Sequence, residues 1–510
     1  MLRVDSESDI EVLRQATKLL VSENDRLMKK VVELTKQLLV AQGKDKRDLQ
    51  LQLLDLQRQL DAANKKIFGD SSEKRPGDEA NDEPVPEKPK QKGHGPKAQP
   101  KLPIVPVVHE LDVADQTCTQ CGSPLAEWEG QVETSEEIHV VRRRFELHTH
   151  IQKKYVCQCG GCVETALGPE KLFPGARYSI TVAVDIAVLK YVDHLPLERI
   201  ARIWGREGLD ITSQTLWDYL ERGARLLTPT YQRLHEHILG MPLVGADETT
   251  WRLMAHKGHK GESKTWWVWA LATPRAVFYL LKSSRGLASA KAILHGYAGT
   301  VLCDGYGVYA SLAAECPAIS LAHCWAHVRR EYLEIEKAFP EETKQILDLI
   351  GMLYATERAA PRGPPGDTLR AQGRAAQSTE VLARIFGWVV ETYPLQTPEN
   401  GLACAIRYMA NVWPGLVRFL EDPRLAIDNN ATERAIRGVV IGRKNHYGSR
   451  SERGTEVAAL FYSLVESAKL AGLDPAMYLE SAIRAALRGE RPLLPHEMAD
   501  AAAVPPTADG

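Results

Sequence analysis

The sequence lacks any long apolar segment. No 18 uncharged apolar residues occur in succession in the 510-residue chain, which excludes a membrane-spanning helix. The N-terminal stretch MLRVDSESDIEVLR also lacks the apolar core of a secretory signal, so no signal peptide is expected. Both absences predict a soluble cytoplasmic protein with no membrane partner.

Cysteine is scarce outside one short region, and neither sign of charge is in large excess. Five of the nine cysteines lie between Cys118 and Cys162, which fits a metal site in a reducing compartment better than a disulfide framework. Because the net charge is only -2, any affinity for nucleic acid must come from local basic patches. The length predicts roughly three or four domains.

A heptad repeat opens the chain. Leucine fills every d position and mostly apolar residues fill the a positions: Leu13, Leu20, Leu27 and Leu34 at d, and Ile10, Thr17, Asn24, Val31 and Leu38 at a. This spacing predicts a coiled coil that joins copies of the chain, and the buried Asn24 favours a parallel two-stranded register. An amphipathic helix packed on the protein's own body is the alternative.

Two cysteine knuckles follow a Pro-, Lys-, Glu- and Gly-rich linker that is predicted to be disordered. The first knuckle contains Cys118 and Cys121, and the second contains Cys157, Cys159 and Cys162. Four thiolates in this arrangement suit one structural Zn²⁺. The two-residue spacing between Cys159 and Cys162 makes Cys157 the expected spare.

The segment between the knuckles alternates apolar and polar residues from Phe145 to Ile151, which predicts a half-buried strand. Basic residues flank it: Arg142, Arg143, Arg144, Lys153 and Lys154. They predict a ribbon that faces DNA, with a merely solvated ribbon as the alternative.

Two helices around a glycine turn are predicted next. Leu197, Ile200 and Trp204 share one helix face, Gly208 interrupts the pattern, and Thr212 or Ser213 can cap a second helix. The pattern matches a DNA-binding helix-turn-helix, although a plain helical packing domain would read similarly.

Strand patterns begin near residue 242. Three apolar strands, in PLVGADETTWRLM, KTWWVWALA and AVFYLLK, predict a meander, and TVLCDGYGVY predicts a fourth strand after a short helix. Asp247 is expected at the end of the first strand and Asp304 at the end of the fourth. These strands are neighbours in a ribonuclease-H-like α/β sheet, which would bring both carboxylates to one edge. Glu248 should point to the opposite face.

A late segment, DNNATERAIRGVVIGRKNHYGSRSERG at 428–454, places six cations around Glu433. These are Arg434, Arg437, Arg443, Lys444, Arg450 and Arg453. A polyanion that meets a metal ion would explain them, and a solvated helix face would be the plain alternative. Glu433 with the two aspartates can hold two Mg²⁺ about 4 Å apart for phosphoryl transfer, and Mn²⁺ can substitute.

The run His323 to Arg330, HCWAHVRR, suggests a further DNA contact. Arg329 and Arg330 are predicted to bind phosphate and Trp325 to stack on a displaced base. Two histidines at i and i+4 could also bind a metal, and a structural helix with a buried tryptophan is the remaining alternative.

The sequence resembles transposases of the insertion sequence 66 family, a branch of the DDE transposases. The resemblance rests on the knuckles and on these segments, in chain order: KKIFGDSSEKR, KYVDHLPLERIARIWGREGLDIT, GADETTW, LCDGY, AHCWAHVRREY, DNNATERAIRGVVIGRKNHYGS and YSLVESAKLAGLDPAMYL. It implies that Asp247, Asp304 and Glu433 form the metal-binding triad. The extra cysteine of the second knuckle departs from the family pattern and leaves the fourth zinc ligand open.

The resemblance implies a bacterial, nucleoid-associated enzyme that cleaves the DNA ends of its element and joins their 3'-hydroxyls to target DNA. It also suggests accessory proteins from the same element. A metal-dependent nuclease or junction-cutting enzyme of the same fold, and a catalytically inactive DNA-binding repressor, are the alternative functions.

The predicted fold is multidomain. Its parts are a coiled coil at 1–68, a linker at 69–102, a zinc ribbon at 103–170, a helix-turn-helix-like domain at 171–240, a ribonuclease-H-like catalytic domain at 241–460 with a helical insertion at about 325–425, and a C-terminal helical segment at 461–510.

Overall fold

The computed structural model of the chain describes residues 106, 123–124, 145–156, 163–254, 264–397 and 399–503. The predicted coiled coil, the linker, both cysteine knuckles and the arginines at 142–144 lie outside the described residues. The chain divides into two units, Met1–Arg142 and Arg143–Gly510, and the helices and strands below belong to the second. Within the described part, no helix is long and apolar enough to cross a membrane.

A short antiparallel hairpin, β1 (Lys154–Val156) and β2 (Val163–Thr165), flanks the second knuckle. The strand predicted from Phe145 onward is wrong, since residues 145–151 form no regular element. The alternating apolar side chains have no sheet to cover, and Leu147 and Ile151 are both 84% exposed.

Three helices precede the main sheet: α1 (Ile180–Tyr191), α2 (Leu197–Arg206) and α3 (Ser213–Leu239). The predicted cap of α3 is confirmed, because Thr212 Oγ1 accepts a hydrogen bond from Thr215 N at 3.1 Å. Gly208 between α2 and α3 has φ +91°, a backbone conformation that favours glycine. Helix α3 is 27 residues long and has buried residues from Leu216 to Ile238, so it also packs against the rest of the unit.

The sheet has five strands in the order β5-β4-β3-β6-β7: β3 (Leu243–Leu253), β4 (Lys264–Ala272), β5 (Val277–Lys282), β6 (Gly299–Cys303) and β7 (Ile319–His323). The predicted meander is confirmed, as β3, β4 and β5 pair antiparallel. β6 pairs parallel with β3 and with β7. The predicted fourth strand is shorter than expected, and its last residues begin a helix.

One face of the sheet is lined in β3 by Val244, Ala246 and Glu248, all buried. Helices α4 (Leu287–Ile293) and α5 (Gly307–Glu315) connect the strands that follow the meander. The side chain of Tyr309, on α5, reaches Glu248 on this face. The alternation of buried side chains along β3 therefore separates Glu248 from Asp247.

A mostly helical segment follows β7. Its helices are α6 (Trp325–Glu334), α7 (Pro340–Ala359), α8 (Asp367–Gly373), α9 (Thr379–Thr392) and α10 (Gly401–Leu416). Short 3₁₀ or π segments occur at Pro364–Gly366, Arg374–Ser378, Tyr393–Leu395 and Arg418–Leu420. These helices enclose a hydrophobic cluster of their own, to which Leu302 of β6 also belongs.

The chain then returns to the sheet through α11 (Asn430–His446), α12 (Glu452–Leu470), α13 (Pro475–Leu487) and α14 (Pro495–Ala503). Ser451 caps α12 by accepting from Gly454 N at 3.0 Å, and Asp474 caps α13 by accepting from Met477 N at 2.9 Å. Serines of α12 also accept hydrogen bonds from backbone amides of the edge strand β5. Val277 N donates to Ser467 Oγ at 2.9 Å.

One hydrophobic core runs through the first three helices, the sheet and α11 to α13. It includes Trp204 of α2, Leu234 of α3, Val268 of β4 and Leu464 of α12. The predicted boundary at residue 240 therefore does not interrupt the core. The predicted boundary at 460–461 falls inside α12.

Candidate active site

The parallel pairing of β3 with β6 brings Asp247 and Asp304 together. Gly245 lies opposite Leu302 in this pairing, and each aspartate stands two residues further along its own chain segment. Asp304 follows the last residue of β6, as predicted. Asp247 does not end its strand, because β3 continues to Leu253 through its antiparallel pairing with β4.

Glu433 reaches this place because α11 approaches β3 unusually closely. A Cβ atom on Gly245 would lie 2.0 Å from Thr432 Oγ1 and 2.9 Å from Asn429 Oδ1, so only glycine fits there. The buried Asn429 fixes the approach, since its Nδ2 donates to Ala246 O at 2.9 Å. Glu433 therefore sits in the first turn of α11, next to the strand that carries Asp247.

The site concentrates negative charge. Burial, followed by the nearby charges of Glu248, Asp304 and Glu433, raises the pKa of Asp247 to about 7. Glu433 Oε1 is buried and accepts no hydrogen bond from the described residues. The basic side chains beside it are His327, with Nε2 at 3.7 Å, and Arg330, with Nη2 at 4.0 Å. Carboxylates that are close to one another and short of hydrogen-bond donors are chemically suited to bind a divalent cation.

Carboxylate oxygens are the hard ligands that Mg²⁺ prefers, and one of the three carboxylates here, Glu433, has an oxygen without a hydrogen-bond donor among the described residues. Across the described residues, however, no three His, Cys, Asp or Glu side chains meet closely enough to hold a metal ion as they stand. The backbone amides of Glu248 and Tyr306 each donate to one aspartate oxygen, at 2.8 Å to Asp247 and 2.9 Å to Asp304. Each aspartate keeps a second carboxylate oxygen for a cation.

Glu248 lies on the opposite face of the sheet from Asp247, as its position next to Asp247 on the strand predicts. Arg285 Nε donates to its Oε1 at 2.9 Å, and Tyr309 OH donates to its Oε2 at 2.7 Å. The Arg285 guanidinium also stacks over the Tyr306 ring at 3.9 Å. Sequence reasoning missed this network, because Arg285 stands in an ordinary polar turn after β5 and nothing local links it to β3.

The helix α6 forms the wall opposite α11. Trp325 cannot stack on a displaced base, so that prediction is wrong: it is fully buried, its Nε1 donates to Leu416 O at 2.9 Å, and it packs edge-on against Trp413. His323 ends β7 and lies outside α6, so the two histidines do not share a helix face.

His327 and Arg330 are the residues of this run that reach the site, while Arg329 is exposed beside them. Burial lowers the pKa of His327, with the Arg330 charge contributing in the same direction. A neutral His327 and a cationic Arg330 thus stand beside Glu433.

The six cations predicted around Glu433 do not all face it. Arg434, Arg437 and Lys444 are exposed on α11. Arg443 instead donates to the backbone and side chain of Thr250 and to Thr249 Oγ1, and so braces α11 against β3. The remaining two form ion pairs: Arg450 with Glu198 at 2.9 Å, and Arg453 with Glu221 at 3.1 Å.

A five-stranded mixed sheet with helices on it is compatible with a ribonuclease-H-like domain. The sequence model of the Transposase IS66 family matches residues 175–457, and the chain belongs to that family. The matched region contains the whole sheet, all three carboxylates and the helical segment between β7 and α11. Membership supports a transposase or nuclease-type enzyme, and it implies DNA binding and the use of divalent metal ions in general.

Similar proteins occur in Sinorhizobium fredii (strain NBRC 101917 / NGR234). The uncharacterized protein y4jD is 29% identical over 413 residues, which cover 78% of this chain and 79% of y4jD. The uncharacterized protein y4qI is 29% identical over 372 residues, which cover 70% of this chain and 68% of y4qI. The uncharacterized protein y4hP is 25% identical over 393 residues, with 71% and 69% covered.

Proposed function

We propose that this chain is a DNA transposase that cleaves the ends of its insertion sequence and joins the freed 3'-hydroxyls to target DNA. The observation that carries the proposal is the convergence of Asp247, Asp304 and Glu433 beside the β3–β6 pair, in a chain of the IS66 family. Each carboxylate comes from a different element, and the three share one electrostatic environment.

In this proposal Asp247, Asp304 and Glu433 hold the divalent ions. Bound Mg²⁺ or Mn²⁺ would activate the attacking oxygen and stabilise the leaving oxygen of the phosphodiester. The chain's own side chains then orient the DNA. Arg330 on α6, and Arg434 and Arg437 on α11, stand on two sides of Glu433 where a phosphate backbone could pass.

The phosphate contacts are proposed from charge and exposure. Arg329, Arg434, Arg437 and Lys444 are exposed on the two helices that flank the site. Lysine and arginine contacts to phosphate release counterions, so affinity for DNA should fall steeply with salt. Arg443 contributes indirectly, because it holds α11 on β3.

The test uses labelled DNA from both flanks of the coding frame, with Mg²⁺ or Mn²⁺, and follows cleavage and strand joining. Asp247→Asn, Asp304→Asn and Glu433→Gln should each lower both steps by about 10²-fold or more, since each removes a charge that holds the metal. A gel shift on the same DNA should change little.

Glu391→Gln is the matched control, because Glu391 is an exposed acid on α9. It should cleave and join like the unaltered chain. Normal cleavage by Glu433→Gln would overturn the assignment of the third carboxylate. Cleavage without joining by the unaltered protein would favour the nuclease alternative, and DNA binding without either step would favour the repressor.

A further inference from the structure

A cleft of about 420 Å³ opens at the opposite end of α11 from Glu433. It lies where α1 ends, where α2, α3 and α12 begin, and where the turn after α11 passes Trp251 of β3. Its walls include Lys190, Gln214, Trp217, Ser449 and Arg450. None of these residues belongs to the site described above.

First turns of three helices line the cleft, through Leu197 of α2, Ser213 of α3 and Gly454 of α12. The N-terminal end of a helix carries partial positive charge and unpaired amide groups. Two of these ends are capped by their own side chains, Thr212 and Ser451, while Pro196 gives α2 no side-chain cap. The fold thus directs several positive helix ends to one place.

Lys190 adds a full positive charge inside the cleft. No carboxylate of the described residues lies within ion-pair distance of its ammonium group, which faces the Tyr191 ring at 5.5 Å. Burial lowers its pKa to about 8; the Glu198 charge opposes this shift and the Arg450 charge adds to it. Lys190 is only partly exposed. A partly buried cation without an ion-pair partner is costly, and an anion in the cleft would relieve that cost.

The other charged groups around Lys190 do not remove the need for an anion. Glu198 is paired with Arg450 at 2.9 Å. His446 is held neutral, since burial and then the Lys190 charge lower its pKa to about 3. Among the side chains that line the cleft, the balance of charge therefore remains positive.

A phosphate suits the cationic part of this cleft, whose other wall residue Trp217 is only partly buried. Trp251 is 1% exposed and its Nε1 donates to Ser449 Oγ at 3.2 Å, so its ring presents no open face. The helix ends and Lys190 offer what a phosphate oxygen needs, namely amide, hydroxyl and ammonium donors.

Two elements, β3 and α11, each carry one of the proposed catalytic carboxylates and also a residue that lines the cleft. Trp251 lies four residues after Asp247 on β3, about 13 Å at 3.3 Å per residue. His446 lies thirteen residues after Glu433 on α11, about 20 Å at 1.5 Å per residue. Since one strand of duplex carries a phosphate about every 3.4 Å of axis, these distances span about four to six nucleotides.

We propose that this cleft binds a backbone phosphate of DNA, about four to six nucleotides from the catalytic carboxylates, with Lys190 and the first turns of α3 and α12 as its ligands. The inference rests on the proposed function for the identity of the polyanion. It differs from the phosphate contacts of α11 in being a concave site with a partly buried cation.

The test measures the affinity of the full chain for a fluorescein-labelled duplex of mixed sequence by anisotropy, without added Mg²⁺ or Mn²⁺, over a series of KCl concentrations. Lys190→Met should weaken binding several-fold and reduce the slope of log K against log[KCl] by about 0.9, the value for one lost phosphate contact. Lys291→Met is the matched control, since Lys291 pairs with Glu315 in a separate region, between α4 and α5, and should leave the slope unchanged.

Thermal unfolding separates this role from a structural one. Lys190→Met removes a partly buried charge that forms no ion pair with the described residues, so the melting temperature should not fall although DNA binding weakens. An unchanged salt slope in a folded Lys190→Met protein would overturn the proposal.

Gln214→Glu is a second, independent variant. An acid at this position should repel a phosphate. Because Gln214 Nε2 donates to Asp218 Oδ1 at 2.8 Å, the variant also loses that hydrogen bond, and its thermal unfolding is measured alongside DNA binding. Unchanged DNA binding by this variant would equally contradict the site. Neither measurement involves cleavage. A negative result for the cleft would therefore not contradict the proposed transposase chemistry, and absence of cleavage would not contradict the phosphate site.

Discussion

Replacement of Asp247 by asparagine should stabilise the metal-free protein at alkaline pH. Burial, followed by the charges of Glu248, Asp304 and Glu433, raises the pKa of Asp247 from 3.8 to about 7 in the folded state. A group with a raised folded pKa contributes stability that is fully present below its unfolded pKa and is lost as pH rises through the folded value. The unaltered protein should therefore lose stability between about pH 4 and pH 7.

The magnitude follows from the two pKa values. A difference of about 3 pH units at 1.36 kcal/mol each gives about 4 kcal/mol as the upper limit of the effect. The amide of Asp247→Asn cannot ionise, so the variant avoids this loss. Its free energy of unfolding should exceed that of the unaltered chain by up to about 4 kcal/mol at pH 8, and the two should converge near pH 4.

The assay is urea unfolding followed by tryptophan fluorescence at pH 4 and pH 8, in EDTA and in MgCl₂. Mg²⁺ should stabilise the unaltered protein at pH 8, because it binds the ionised carboxylates of the folded state, and should stabilise Asp247→Asn much less. Glu391→Gln again serves as the control. An Asp247→Asn protein that is no more stable than the unaltered chain at pH 8 in EDTA would refute the electrostatic reasoning.

Four further changes test the remaining structure. Gly245→Ala should displace the start of α11 and cost about 1–3 kcal/mol in urea unfolding, with loss of cleavage; normal activity would contradict the close approach to Thr432. Glu248→Gln should destabilise by about 2 kcal/mol or more because Arg285 loses its buried partner, and an unchanged urea midpoint would argue against that network. Cys118→Ser should abolish one bound zinc per chain, which metal analysis would detect; a zinc-free unaltered protein would exclude the site. The isolated segment 9–68 should sediment as a dimer at tens of micromolar, and Asn24→Val should raise its melting temperature while loosening its oligomeric state; a monomer would end the coiled-coil hypothesis.

Local patterns predicted the elements that local physics determines. Runs of apolar residues identified β3, β4 and β5, and a hydroxyl side chain before an apolar period identified the cap of α3. The neighbouring places of β3 and β6 followed from strand order in a known type of sheet. In each case, the information lies within a few residues or in the order of elements along the chain.

Contacts between residues far apart in the sequence could not be predicted from local patterns. Arg450 and Arg453 read as DNA contacts because their partners, Glu198 and Glu221, lie more than 200 residues away in the sequence. Trp325 reads the same whether its ring stacks on a base or fills a core. Only the packing of α10 against α6 decides that its indole is buried and hydrogen-bonded to Leu416.

The two aspartates of the candidate site lie at a seam between two hydrophobic cores, and this explains how the helical segment takes part in the site. Along β6, Val301 and Cys303 belong to the main core, whereas Leu302 belongs to the core of the helices that follow β7. Asp304 comes directly after this divided strand, so both cores fix its position. The same packing holds α6 across from α11, which brings His327 and Arg330 to Glu433. The helical segment is thus a wall of the candidate active site and not a separate appendage.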